Sequence, residues 1–334
     1  MMKNKINFKK ITSSREASLL VILIVLCALI QFRNSEFLTL KMFENMFKNY
    51  AVIMILSLGM MCVLLIGGID ISIGSTLGFS GMCASLILRD NQELPIIVIF
   101  LISIIIGTLI GAVIGFINSY GNVPPIIVTL GGMNALRGMT YLASDSQWVA
   151  AHQFTKAYKD FAQARYLGFG VVNNLIVITV LIYVLFYVFL KWTRTGRKIY
   201  AVGSNEEAAT VSGIRIKRIK LLCYIIMGFL AGLCGAIYTS LYASAQGDMG
   251  TGIEMDVIAS CVVGGVSLNG GRGSVVGVFL GALTIAIIGK ALPLIGVSQY
   301  CQTAIKGLII VVTIVLNIVV QQSMYKKKIK ERSA

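Results

Sequence analysis

The stretch LPIIVIFLISIIIGTLIGAVIGFI, residues 94–117, runs for 24 residues without one charged side chain. As a helix rising about 1.5 Å per residue, it is long enough to cross the roughly 30 Å hydrocarbon layer of a bilayer. Apolar residues on every face exclude a soluble amphipathic helix. The rest of the chain agrees. Apolar types make up 57% of its 334 residues and charged types 13%, where soluble domains carry about 25% charged residues. Too few polar residues remain to coat a water-facing surface. The fold class is an all-α integral membrane protein.

Working outward, comparable runs predict about ten transmembrane helices, at residues 17–32, 46–66, 71–88, 94–117, 125–142, 171–190, 220–242, a short 253–268, 274–292 and 302–320. Basic residues test this map. With a cytoplasmic N-terminus, ten crossings return the C-terminus to the same side, and the inner segments then hold 19 of the 29 Lys and Arg. That satisfies the positive-inside rule and predicts that both termini are cytoplasmic. One membrane domain, 17–320, is expected between tails at 1–16 and 321–334, the second of them basic, with a polar inner loop at 193–218. The basic start before the first apolar run reads as a retained signal anchor, because no cleavage site follows it.

Several function classes are excluded. The net charge of +15 comes in short clusters between apolar runs, with no basic face interleaved with aromatics, so nucleic acid is not the partner. The seven cysteines are scattered, no CxxC or Cys/His spacing exists, and His152 is the single histidine. They read as packing residues, and neither a metal site nor a disulfide is expected. There is no GxxxxGK[ST] phosphate loop, no nucleophile elbow and no HExxH, so the chain is not expected to be an enzyme. The buried carboxylate and histidine chain of a proton pump is missing too.

Glycines carry an internal similarity. Gly67-Gly68 precedes Gly74-Ser75, Gly78 and Gly81, and Gly264-Gly265 precedes Gly273-Ser274, Gly277 and Gly281. Both stretches turn at the inner side, which predicts a parallel internal repeat of the kind transporters use. The plainer explanation is that packed membrane helices share small-residue spacing.

Polar residues inside the spans are the candidates for a central path. Asp70 in GGIDISIGS either faces that path or, with Ser72 as the other candidate, caps the third span, Gly67 and Gly68 permitting the reversal. Gly131-Gly132, Asn134 and Arg137 predict a broken helix lining a water-filled cavity, or else polar glue between spans. Glu254 and Asp256 stand at the start of the short eighth span, as gate residues or as partners of its helix dipole.

In the inner loop, Ser204 and Glu207 form a capping box around Asn205 and Glu206. Ala208 and Ala209 continue the helix and Gly213 fits its C′ position. A helix so short is marginal alone, so a cytoplasmic protein partner is expected to hold it. On the outer side Phe154, Tyr158, Phe161 and Tyr166 predict an interfacial helix or, alternatively, a docking surface.

Four ordered blocks resemble the ribose-type permeases of bacterial ABC importers: GGIDISIGS (67–75), NVPPIIVTLGGMNALRGMTYL (122–142), GRKIYAVGSNEEAATVSGI (196–214) and GTGIEMDVIASCVVGGVSLNGGRGSVVGVFLGAL (250–283). Relatives that import autoinducer-type furanoses, rhamnose and other simple sugars are similar as well. The resemblance runs from about residue 51 to residue 317. It implies a bacterial cytoplasmic membrane and a second permease chain, identical or closely related. It also implies two ATP-binding domains, often fused in tandem, and an external solute-binding protein that delivers a monosaccharide. Residues 204–213 would be the coupling helix. The chain would bind no cofactor itself, ATP and Mg being used by the ATPase. Residues 144–168 depart from the ribose members, which leaves the sugar open. Two rivals remain: an ion-driven secondary transporter using Asp70, Glu254 or Asp256, and a passive channel.

Overall fold

The computed structural model describes residues 15–33, 37–167, 172–294 and 296–298, with isolated positions from 301 to 311. The described elements are α1 (Arg15–Arg33), α2 (Leu40–Leu65), α3 (Ile73–Asp90), α4 (Ile96–Gly121), α5 (Pro125–Ala143), α6 (Lys156–Gln163) and α7 (Asn174–Trp192). They continue with α8 (Arg194–Ser204), α9 (Glu206–Val211), α10 (Ile216–Tyr242), α11 (Ile253–Val263) and α12 (Val275–Leu294). Among the described residues there is no strand, only an isolated antiparallel bridge between Val149 and Ala245.

Five of these helices, α2, α4, α7, α10 and α12, are long and apolar enough to cross a membrane. The ten-span reading finds nine of its segments as helices, but four fall short of that standard. The apolar run of α1 is only Leu19–Phe32. Gly, Ser and Thr dilute α3 and α5. At 11 residues, α11 reaches only about 16 Å. Most of the tenth segment, at 302–320, and nearly all of both tails lie outside the described residues.

The core is built around α2, whose residues from Ala51 to Leu65 are all buried. Beside it, α10 and α4 meet along a glycine seam. A Cβ at Gly107 or Gly111 would strike the carbonyl oxygens of Gly228 and Tyr224, so the two backbones touch. Ser103 Oγ bonds the Gly232 carbonyl across this seam at 2.7 Å. Small residues let membrane helices approach this closely, where van der Waals contact replaces the missing hydrophobic drive. The outer faces of α4 (Leu101, Ile105, Leu109, Val113) and α7 (Val180, Leu181, Val184, Leu185) stay exposed and apolar, as lipid contact requires.

Two expectations are corrected. First, α5 is one continuous helix. Pro125 opens it, and Gly131-Gly132 do not interrupt it, because glycine in a helix costs only about 1 kcal/mol while the backbone bonds persist. Non-helical backbone packed among the helices lies elsewhere, at 66–72, 243–252 and 264–274. Second, the aromatic outer loop forms the helix α6, but two of its rings pack into the protein rather than facing outward. Phe154 and Tyr158 are buried, Tyr158 Oη donates to the Ala236 carbonyl at 2.9 Å, and Ser240 Oγ donates to the Tyr158 carbonyl at 2.6 Å. Tyr158 is thereby fixed on α10, and Phe154 stacks on its ring at 5.6 Å.

Candidate functional site

The two glycine turns meet at the end of the bundle that carries the basic residues of α8 to α10. Gly271 N–H donates to the Leu65 carbonyl at 2.8 Å, and Gly270 packs against Gly67 and Gly203. Gly67 (φ 73°) and Gly265 (φ 90°) adopt backbone conformations that side chains resist. Gly264 lies against Gly277, and Gly273 offers its carbonyl to Tyr200 Oη at 2.9 Å. Gly203 is wedged between the turns: a Cβ there would collide with the Leu65 carbonyl oxygen. Thus the segment just before α9 is clamped to both hairpins.

The cap of α9 differs from the expected Ser204–Glu207 box. Ser204 is the last residue of α8, and Asn205 is the N-cap, its Oδ1 accepting from Ala208 N–H at 2.9 Å. Asn caps as well as Ser, and packing of the Ser204 backbone on Gly271 leaves the role to its neighbour. Gly213 (φ 75°) ends the helix as expected. Along α9, Glu206, Glu207 and Ala208 are exposed, Ala209 is buried, and Val211 is 90% exposed. Glu206 pairs with Lys220 at 2.6 Å, an exposed contact of modest worth.

Within the bundle, the unwound segment 66–72 buries Asp70, which is 3% exposed. Its Oδ1 accepts from Ser72 N–H at 2.9 Å and Ser72 Oγ at 2.6 Å. Asp70 therefore secures the turn into α3, and Ser72 occupies the N-cap position without a side-chain cap. The other unwound segment, 243–252, runs down α3. The Met249 carbonyl lies beside Gly78, and Gly250 packs on Gly74, where a Cβ would strike the Gly250 carbonyl. Arg137 Nη1 donates to the Gly247 and Met249 carbonyls at 2.9 and 2.8 Å. Glu254 Oε1 accepts from Gly252 N–H at 3.2 Å. Arg137 and Glu254 thus hold irregular backbone that lipid could not tolerate. Asn134 does not join them. It sits on the exposed face of α5, its Nδ2 bonded to the Leu130 carbonyl of its own helix at 3.1 Å.

Asp256 lies in a separate cavity of about 410 Å³ at the opposite end, lined by Asn49, Tyr50, Tyr238, Tyr242 and Lys290 among others. The Tyr238 and Tyr242 rings stand 4.5 Å apart. Tyr50 Oη fills the space that a Cβ at Gly289 would need. Aromatic faces for C–H surfaces, with a carboxylate, an amide and an ammonium for hydroxyls, suit a neutral polyhydroxylated solute. Apart from Asp256, sequence reasoning missed this lining. The i, i+4 tyrosines of α10 and the lone lysine closing an apolar run were its only local signals.

Comparison with known proteins adds a family. The one described as branched-chain amino acid transport system / permease component matches residues 42–315. The ribose import permease protein of Haemophilus influenzae is 37% identical over 319 residues, covering 94% of this chain and 97% of that protein. The ribose import permease protein of Bacillus subtilis is 36% identical, covering 88% and 90%. The galactose/methyl galactoside import permease protein of Escherichia coli is 34% identical, covering 94% and 96%. No solved structure matches.

Proposed function

The chain belongs to the branched-chain amino acid transport system / permease component family, a transporter family rather than an enzyme one, and from that premise we propose that it is the membrane permease of an ATP-driven importer for a monosaccharide. Relatives named for ribose and for galactose import support the sugar class. Ten crossings with a parallel internal repeat, the basic end and both termini in the cytoplasm, complete the reading. A second permease chain would close the central path, and an external binding protein would deliver the sugar.

The observation that carries the proposal is α9. It is a six-residue helix with an exposed acidic turn and an exposed Val211, clamped at its base to both glycine hairpins. Such a helix is unstable alone in water. A separate ATPase that grips it differently in its two nucleotide states would move both hairpins. Asp70, Arg137 and Glu254 brace the backbone that walls the path, and Asp256 belongs to the outer cavity.

Reconstitution tests this. Proteoliposomes holding the permease, its ATPase partner and the binding protein should accumulate ribose or galactose only with ATP. The permease alone should neither hydrolyse ATP nor accumulate sugar. Accumulation that follows a proton or sodium gradient at constant ATP would overturn the proposal.

A further inference from the structure

We propose that the cavity at the basic end is an inner binding station for the same neutral sugar, a reading that rests on the importer function above. The cavity holds about 410 Å³, within the usual range for small-molecule sites, and lies between the α4–α5 turn, the 66–68 turn and the coupling loop. Its polar lining is Asn118, Ser119, Asn122, Glu206, Lys217 and Lys220.

Ser119 singles it out. The residue is 4% exposed, yet its Oγ has no hydrogen-bond partner. Three other buried serines in these helices, Ser57, Ser80 and Ser85, each satisfy their hydroxyl on the carbonyl four residues back at 2.7 Å. Ser119 does not. Among the described residues only Ser75 shares this state, and of the two Ser119 lines this cavity. A buried polar atom without a partner needs an explanation, and a ligand hydroxyl supplies one.

The charges select the ligand class. Lys220 is paired with Glu206 at 2.6 Å, and the Lys217 ammonium sits 5.5 Å over the Tyr120 ring. A phosphate would meet the Glu206 carboxylate, and a cation would meet two ammonium groups. Asn118 spends Nδ2 on the Val123 carbonyl at 2.9 Å and retains an acceptor. The site therefore offers both donors and acceptors with nearly balanced charge, which suits a polyhydroxylated neutral molecule. Because Glu206 of α9 forms part of the wall, movement of the coupling helix reshapes the station and ties sugar release to the ATPase stroke.

Ser119→Cys tests this in inside-out vesicles carrying the full importer, with the wild-type chain labelled in parallel to subtract native thiols. A small impermeant thiol reagent should label the variant, and excess ribose or galactose should slow that labelling several-fold while inorganic phosphate does not. Equal rates with and without sugar, protection by phosphate, or no labelling at all would each overturn the proposal. Ser119→Leu, which fills the cavity, should lower uptake several-fold while leaving ATP hydrolysis stimulated by the binding protein. Unchanged uptake would count against the station. Wild-type importer that accumulates neither sugar in right-side-out proteoliposomes with ATP inside and the binding protein outside would sink the importer reading alone, since labelling needs no transport.

Discussion

Arg137 shows what a single charged residue does inside this bundle. It donates to two carbonyls more than a hundred positions away in the chain, and so closes the unwound segment against α5. Charge-assisted hydrogen bonds are worth about 2 kcal/mol each, and losing the donor strands two buried carbonyls. Arg137→Met should lower stability by about 2 kcal/mol or more, read as a fall in the thermal midpoint of the detergent-solubilised protein. An unchanged midpoint would show that water replaces the guanidinium. The sequence marked Arg137 as out of place in lipid, because an ionised group in an apolar run is conspicuous, and marked Glu254 as a gate residue or a partner of a helix dipole. It did not reveal their partners, since a contact between residues 137 and 249 leaves no local pattern.

Helix existence was legible for the same reason that the membrane was. Runs of Ile, Leu and Val have one stable answer in lipid, and residues 125–142 and 274–292 lie close to the observed α5 and α12. Interruptions were harder to place. The paired glycines of α5 read as a break, yet the true breaks are at 66–72, 243–252 and 264–274, where tertiary contacts decide. The cap of α9 was misplaced by one residue, because Ser204 and Asn205 are equivalent in propensity and only the packing of Ser204 on Gly271 separates them. Two predictions belong here. Asn205→Ala should cost about 1 kcal/mol of local stability and raise hydrogen exchange across Glu206–Val211. Gly203→Ala cannot be accommodated without parting Leu65 from Gly271. Sugar uptake should fall well below the wild-type level while the ATPase still associates and hydrolyses ATP. Uptake that kept pace with hydrolysis in this variant would argue against the clamp.

At the scale of the whole molecule, the exposed large apolar side chains are carried chiefly by α1, α4, α5 and α7. The exposed tip of α9 lies at the basic end, where an apolar Val211 open to water asks for a covering partner. Val211→Asp should leave the permease folded, with an unchanged elution profile, and weaken capture of the ATPase in a pull-down. Full capture would place the docking contact elsewhere.

Where the chains of α4 and α10 touch without side chains between them, no room is left for even one added methyl group. They behave as a single plank. In the proposed importer, the swing between outward and inward access would then fall to the non-helical stretches, the joints of an otherwise stiff frame.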